Sequence, residues 1–333
     1  MKGGQTRILV VKLSSLGDLF HALPAVHTFR TRMNAEIDWV TQPEYVELVQ
    51  CFTDVSRVLP YPRQRFWREG TSFRRNLRGN QYDFAVDFQG LLKSALVTVL
   101  ARADRRIGPS NHREGSQFLY HEVARPRDSG RHAVHQALDI CSTLDLDPPD
   151  PSFPVHFPSI PLETAHPRIA LVPCSRWASK NWAPVHFIEL ARLLIDQFGA
   201  SVYLVGGPDN QSRNVCGRIA GAVPDIHNEC GNTTLPQMGG LLSAMDLAVT
   251  VDTGPMHVAT ATGTPVVAVF GLTDPERTGP FGPKHRVVRA PGLEGRSPVG
   301  HYRAADSTVI NRIAVEDVLD QIRDVLARDR GAP

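Results

Sequence analysis

The 333-residue chain has no CxxC pair, and its five cysteines, Cys51, Cys141, Cys174, Cys216 and Cys230, are odd in number and far apart. That spacing offers neither a zinc site nor a disulfide framework, and it fits a reducing cytoplasm. Charge of one sign is also missing. Lys plus Arg (36) nearly balances Asp plus Glu (34), so a net charge of +2 excludes a nucleic-acid binder that works by bulk charge. Long apolar runs are absent as well. No stretch approaches the ~20 apolar residues that span a bilayer. Ile8-Leu9-Val10-Val11, which ends at Lys12, is too short for the core of a signal peptide. The expectation is a cytoplasmic protein that touches a membrane surface at most. Hydrophobic residues, at 42%, are ample for globular cores, and the length calls for two domains.

What is present is alternation. Short apolar runs alternate with segments of helical period, the pattern of βαβ units around a parallel sheet. Arg7 to Lys12 reads as a strand and Leu16 to Arg32 as the helix after it, with Pro24 as a possible kink. Ile37 to Thr41 and Phe84 to Phe88 read as the second and third strands, and Leu91 to Leu100 as a helix. The run Asp147-Pro-Pro-Asp-Pro-Ser-Phe-Pro, continued by Pro158, Pro161 and Pro167, cannot hold a helix or a central strand and reads as a linker. Beyond it, Ile169 to Pro173, Val202 to Val205, Leu247 to Val251 and Val266 to Phe270 read as strands. Pro184 to Phe198 and Val315 to Leu326 read as helices. The chain is therefore divided into a domain at 1–150, a Pro-rich linker at 151–166 and a domain at 167–333, whose last helix is free to pack back on the first. Both domains are expected to be doubly wound α/β, with the active site in the cleft between them.

Three polar turns carry the candidate chemistry. The first, Lys12-Leu13-Ser14-Ser15-Leu16-Gly17-Asp18, follows a buried strand and opens a helix, so its N–H groups favour an anion or polar ligand. With Gly17 alone it is not G-x-G-x-x-G, and a dinucleotide dehydrogenase is unsupported. Asp18 in the first helical turn fits a catalytic carboxylate or a plain helix cap. The second, Asp252-Thr253-Gly254-Pro255-Met256-His257, ends a hydrophobic strand. It fits a phosphate cradle, with His257 reaching a further oxygen, or an ordinary βα turn. The third, Ser175-Arg176-Trp177-Ala178-Ser179-Lys180-Asn181-Trp182, sets Lys180 between two tryptophans, as a point charge for a diphosphate or as a solvated lysine.

In order along the chain, K-L-S-S-L-G-D, D-F-Q-G-L-L-K-S-A, S-R-W-A-S-K-N-W and V-D-T-G-P-M-H-V-A-T-A-T-G-T-P-V-V-A-V-F-G-L-T-D-P resemble glycosyltransferase family 9, and the lipopolysaccharide heptosyltransferases within it. The resemblance runs from about Ile8 to Val325. It implies the GT-B architecture, two Rossmann-like domains facing a cleft. It also implies inverting transfer from ADP-L-glycero-β-D-manno-heptose to a Kdo–lipid A acceptor, with no cofactor and no metal-binding DxD motif. Carried over by position, Asp18 is the general base, and Ser175, Lys180 and Asp252 contact the donor. Thr253, Gly254, Pro255, Met256 and His257 form the diphosphate turn, while Ser15, Gly17 and Gln89 lie on the acceptor side. Where the family places a ribose-contacting Glu after Gly206-Gly207-Pro208, this chain has Asp209-Asn210-Gln211. Either Asp209 takes the ribose or the nucleotide preference differs. The stretch Glu294 to Arg303 also lacks the cysteine that many relatives carry before the last helix.

The acceptor implied by the resemblance gives meaning to a basic window. Arg57, Arg63, Arg65, Arg68, Arg74, Arg75 and Arg78 are opposed there only by Glu69, and Arg102, Arg105, Arg106 and Arg113 follow. Arg63, Arg65, Arg68 and Arg106 are the candidates for Kdo carboxylates and lipid A phosphates, by bidentate contact. The competing reading is a solvated charged face. Three functions stand against each other: a heptosyltransferase at the inner face of the cytoplasmic membrane, a GT-B-shaped nucleotide-sugar epimerase, and a non-catalytic nucleotide-sugar binder. A family 9 transferase with another donor or acceptor is a variant of the first.

Overall fold

The structure is a computed structural model that describes residues 5–64, 66–128, 130–293, 306 and 308–330. The chain divides into two compact units, Met1–His156 and Phe157–Pro333. In the first unit β1 (Arg7–Val11), α1 (Leu16–Met33), β2 (Glu36–Thr41), α2 (Val46–Val49), β3 (Arg57–Pro60) and α3 (Phe66–Leu77) come first. There follow β4 (Tyr82–Asp87), α4 (Leu92–Leu100), β5 (Ala103–Gly108), β6 (Glu122–Val123) and α5 (Ala133–Thr143). The strands form one parallel sheet in the order β3-β2-β1-β4-β5-β6. Ile8 to Val11 are fully buried, as befits a strand covered by helices on both faces. Helix α1 continues through Pro24, and Asn34 ends it in the left-handed region, φ 49°.

The second unit repeats the plan. It runs β7 (Arg168–Val172), α6 (Pro184–Phe198), β8 (Ser201–Leu204), α7 (Asn210–Ala222), β9 (His227–Asn228) and α8 (Leu235–Ser243). Then come β10 (Leu247–Val251), α9 (Gly254–Ala261), β11 (Val266–Phe270), α10 (Pro275–Thr278), β12 (Arg286–Arg289) and α11 (Val315–Arg330). Its parallel sheet has the order β12-β11-β10-β7-β8-β9. Each sheet thus reads 3-2-1-4-5-6 in its own chain order, the Rossmann order, so the doubly wound α/β expectation is met in both units. Helix α11 packs on α6, β11 and β12.

The structure adds strands β3, β5 and β6 in the first unit and β9 and β12 in the second to those read from the sequence, which makes Tyr82–Asp87 the fourth strand rather than the third. Arginines obscured two of them. On β3, Arg57 binds Asp38 on β2 at 2.6 Å and the Tyr82 hydroxyl at 3.0 Å. On β5, Arg105 donates from Nε to Glu122 at 2.9 Å. These cations belong to strand pairing and leave the basic window smaller than it looks in the sequence. The Pro-rich stretch is docked along its length. Val155 bridges Phe52, and His156 N donates to Cys51 O at 2.8 Å. Past it, Pro158 lies so close to α8 that a Cβ at Gly240 would sit 2.0 Å from its carbonyl oxygen, an approach only glycine permits.

Candidate active site

A 3-2-1-4-5-6 sheet has one switch point, between its first and fourth strands, where crevices open at the carboxyl ends. All three polar turns begin at such ends. In the first unit the pair is β1 and β4. Beyond β4, buried Asp87 accepts from Gln89 N at 2.7 Å and Gly90 N at 3.2 Å through Oδ1, and from the Tyr120 hydroxyl at 2.7 Å through Oδ2. Burial pushes its pKa up against those donors. The turn this holds, with Gly90 at φ 68°, aims Gln89 across the switch point. Gln89 Oε1 accepts from Leu13 N and Ser14 N at 3.1 Å each, and Lys12 Nζ donates to Phe88 O at 2.9 Å. Gln89, expected at the acceptor, is therefore also the brace of the first turn.

Asp18 sits where that turn becomes α1. Its Oδ2 accepts from Ser15 N at 2.9 Å and Ser15 Oγ at 2.8 Å, a reciprocal cap of the helix N-terminus. Its Oδ1 lies 3.7 Å from His21 Nδ1, and the side chain is 43% exposed. While one oxygen caps, the residue also lines a cleft with Lys12, His21, Phe88, Asn111 and Gln136. Burial among these groups opposes the charge, but the Lys12 cation, the hydrogen bond and charge of His21 and the Ser15 N–H outweigh it. The carboxyl is held well below the usual carboxylate range. A depressed folded-state pKa makes the ionised group stabilising at neutral pH, and that contribution is lost progressively as pH falls from the unfolded-state value through the folded one. Carbon-13 NMR of the Asp18 carboxyl should accordingly show no inflection in the ordinary aspartate range. A midpoint there would mean that Lys12 and His21 do not hold it. His21 was not singled out in the sequence, although its i, i+3 spacing from Asp18 was a readable signal.

In the second unit the switch point lies between β7 and β10. After β7, Ser175 N donates to Asn181 Oδ1 at 2.7 Å, and Ser175 Oγ donates to Trp177 O at 2.9 Å. Trp182 is fully buried, and its Nε1 donates to Ile313 O at 3.2 Å. This loop brings Lys180 Nζ to 2.7 Å from Asp252 Oδ2 beyond β10, with the two side chains only 16% and 8% exposed. Lys180 is therefore a buried partner of Asp252, not a solvated lysine. Thr253 is extended and makes no side-chain cap, Pro255 lies in the first turn of α9, and His257 beside it is buried. That leaves a positive helix end next to the Lys180–Asp252 pair. The Met256 side chain is fully buried, so only its backbone is available to a ligand.

The remaining candidates are dispersed. Asp209 caps α7, accepting from Ser212 N at 2.9 Å and Ser212 Oγ at 2.7 Å, and the Ser212 N–H holds its pKa down. Ser15 is exposed beside Asp18 and Gly17 is buried in the first turn of α1. Arg63 and Arg68 are exposed, whereas Arg65 lies outside the described residues, as does the stretch 294–303. Arg106 Nε donates to Leu119 O at 2.9 Å and thereby ties β5 to the following loop. Among the described residues no group of three or more His, Cys, Asp or Glu has the arrangement of a metal site.

The family model for glycosyltransferase family 9 (heptosyltransferase) matches residues 70–301. Lipopolysaccharide heptosyltransferase 1 of Pseudomonas aeruginosa is 30% identical over 296 residues, 83% of this chain and 81% of the relative. Its namesake in Escherichia coli is 30% identical over 308 residues, 86% of this chain and 93% of the relative. The solved structure of E. coli heptosyltransferase WaaC with ADP superposes with a TM-score of 0.81 at 24% identity, covering 96% of this chain and 100% of that one. At that identity the likeness shows the fold, and the fold is GT-B.

Proposed function

Because the chain belongs to glycosyltransferase family 9, we propose that it transfers a heptose from ADP-L-glycero-β-D-manno-heptose to a Kdo–lipid A type acceptor of the lipopolysaccharide inner core, with inversion. The observation that carries the reading is that each unit holds one half of the required chemistry at its switch point. One half is a carboxylate kept ionised, Asp18, and the other is the Lys180–Asp252 pair against the positive end of α9. The curated relatives are heptosyltransferases by name, and a solved structure of the same fold carries ADP.

The roles follow from charge. The leaving ADP takes the electrons of the breaking glycosidic bond, and Lys180 with the α9 N-terminus stabilises that charge. The acceptor hydroxyl attacks the anomeric carbon from the opposite face and gives its proton to Asp18 Oδ1. So acidic a carboxylate remains available at every working pH. It takes the proton late, once the forming bond has made the hydroxyl strongly acidic. Ser175, Thr253, Gly254, Met256 and His257 line the donor side, with Pro255 setting the turn, and Asp209 is the candidate for the ribose. Ser15, Gly17, Gln89 and Arg106 complete the acceptor side.

Incubating the protein with ADP-heptose, with and without Kdo–lipid A, tests the reading by mass spectrometry. Gain of one heptose by the acceptor is expected. Free or isomerised sugar formed without acceptor would favour the epimerase, and an unchanged donor would favour a binding protein. Charge reversal at Arg63 and Arg68 should raise the acceptor's KM while leaving ADP-heptose affinity nearly unchanged, because both lie in the first unit. Equal loss for both ligands in a steady-state assay would count against acceptor binding there. No helix among the described residues is long and apolar enough to cross a membrane. The acceptor is an amphiphile, so the place of work is the inner face of the cytoplasmic membrane, reached from the cytoplasm.

A further inference from the structure

Helices α3 and α4 lie on the same face of the first sheet. Phe73 and Leu77 of α3 share one apolar cluster with Val97 of α4 and with Leu9, Val11 and Ala85 of the strands. With those faces buried, the opposite sides should be polar. On α3 that holds except at Trp67, but on α4 it does not. On α4, Leu92, Leu96 and Val99 recur at helical spacing and are between 42% and 46% exposed. Phe118, in the 3-10 turn Ser116–Leu119 that packs on α4, is 84% exposed, and Trp67 on α3 is 100% exposed. Exposed apolar side chains grouped on one face mark a contact surface.

The charges around them select the partner. Arg68, Arg74 and Arg75 on α3 and Lys93 on α4 are opposed within these elements by Glu69 alone. Arg102 and Arg113, just beyond α4, are also exposed. Of the nearby acids Glu122 is paired with Arg105, whereas Glu114 keeps its charge while accepting from Leu92 N at 3.1 Å, so the cations remain in excess. Two such faces apposed in a dimer would set arginine against arginine. Apolar side chains rimmed by cations match instead the apolar and anionic layers of a bilayer surface.

We propose that the α3–α4 face, with Phe118, docks on an anionic lipid bilayer. The lipid-linked acceptor gives this docking its purpose, but docking is read without donor or acceptor, so its failure and a failure of heptose transfer are separate results. The full-length protein is sedimented with vesicles of phosphatidylcholine, with or without phosphatidylglycerol. Binding about tenfold or more tighter to the anionic vesicles is expected. The triple variant Leu96→Ser, Val99→Ser, Phe118→Ser should lose about tenfold of it, while transfer to a deacylated, water-soluble acceptor persists. No binding, or equal binding to both vesicles, would overturn the proposal. So would a dimer, seen by analytical ultracentrifugation, that the triple variant abolishes. Should that variant not fold, fluorescence of the native sequence decides. Quenching by brominated phosphatidylglycerol that disappears in Trp67→Phe supports docking through this face, and no quenching refutes it.

Discussion

Lys180→Ala is expected to weaken ADP-sugar binding by roughly tenfold or more, ~1.4 kcal/mol at least, and to destabilise the protein as well. Both effects come from one contact. Lys180 Nζ and Asp252 Oδ2 are 2.7 Å apart and largely out of water. Removing either partner strands a buried charge, which typically costs about 3–5 kcal/mol. Asp252→Ala should therefore melt early too. The double variant Lys180→Met, Asp252→Leu separates stability from function, because an apolar pair of similar volume restores packing without restoring a cation for the diphosphate. Thermal unfolding should recover in the double variant and ADP-heptose affinity by calorimetry should not. Recovery of both would make the pair a strut alone.

Asp18→Asn is expected to keep the fold and the donor affinity and to lose turnover by roughly 10²-fold or more, the usual scale for removing a general base. The structure makes this substitution unusually informative. An Asn oxygen can still accept from Ser15 N, so the cap at the start of α1 survives. What the amide lacks is basicity at the position of Oδ1. Near-normal transfer by Asp18→Asn would reduce Asp18 to a cap and leave the reaction without its base.

Much of the fold was legible because its strands are short apolar runs stopped by glycine, proline or acid. Pro184–Phe198, Leu247–Val251 and Val266–Phe270 coincide with the elements read from the sequence. β3 and β5 were not legible, since Arg57, Arg105 and Arg106 break the apolar pattern and find their partners only on neighbouring strands or loops. The candidate site divides in the same way. Asp18 stands out locally as the acid of a turn, but its split between capping and the cleft needs the three-dimensional arrangement of Ser15, Lys12 and His21. The Lys180–Asp252 contact joins the ends of β7 and β10. Those strands are adjacent only because the sheet order reverses there, a fact of topology that no local pattern carries. Asp209 reads as a ribose ligand by position, and only the structure shows that its carboxylate also caps α7 through Ser212.

The central claim is inverting heptose transfer, and the anomeric configuration of the product tests it most directly. With the β-linked ADP-heptose as donor, NMR of the purified transfer product should show an α-linked heptose, formed by attack on the face opposite the departing ADP. A β-linked product would mean retention and a covalent or front-face route, which would contradict the role given to Asp18.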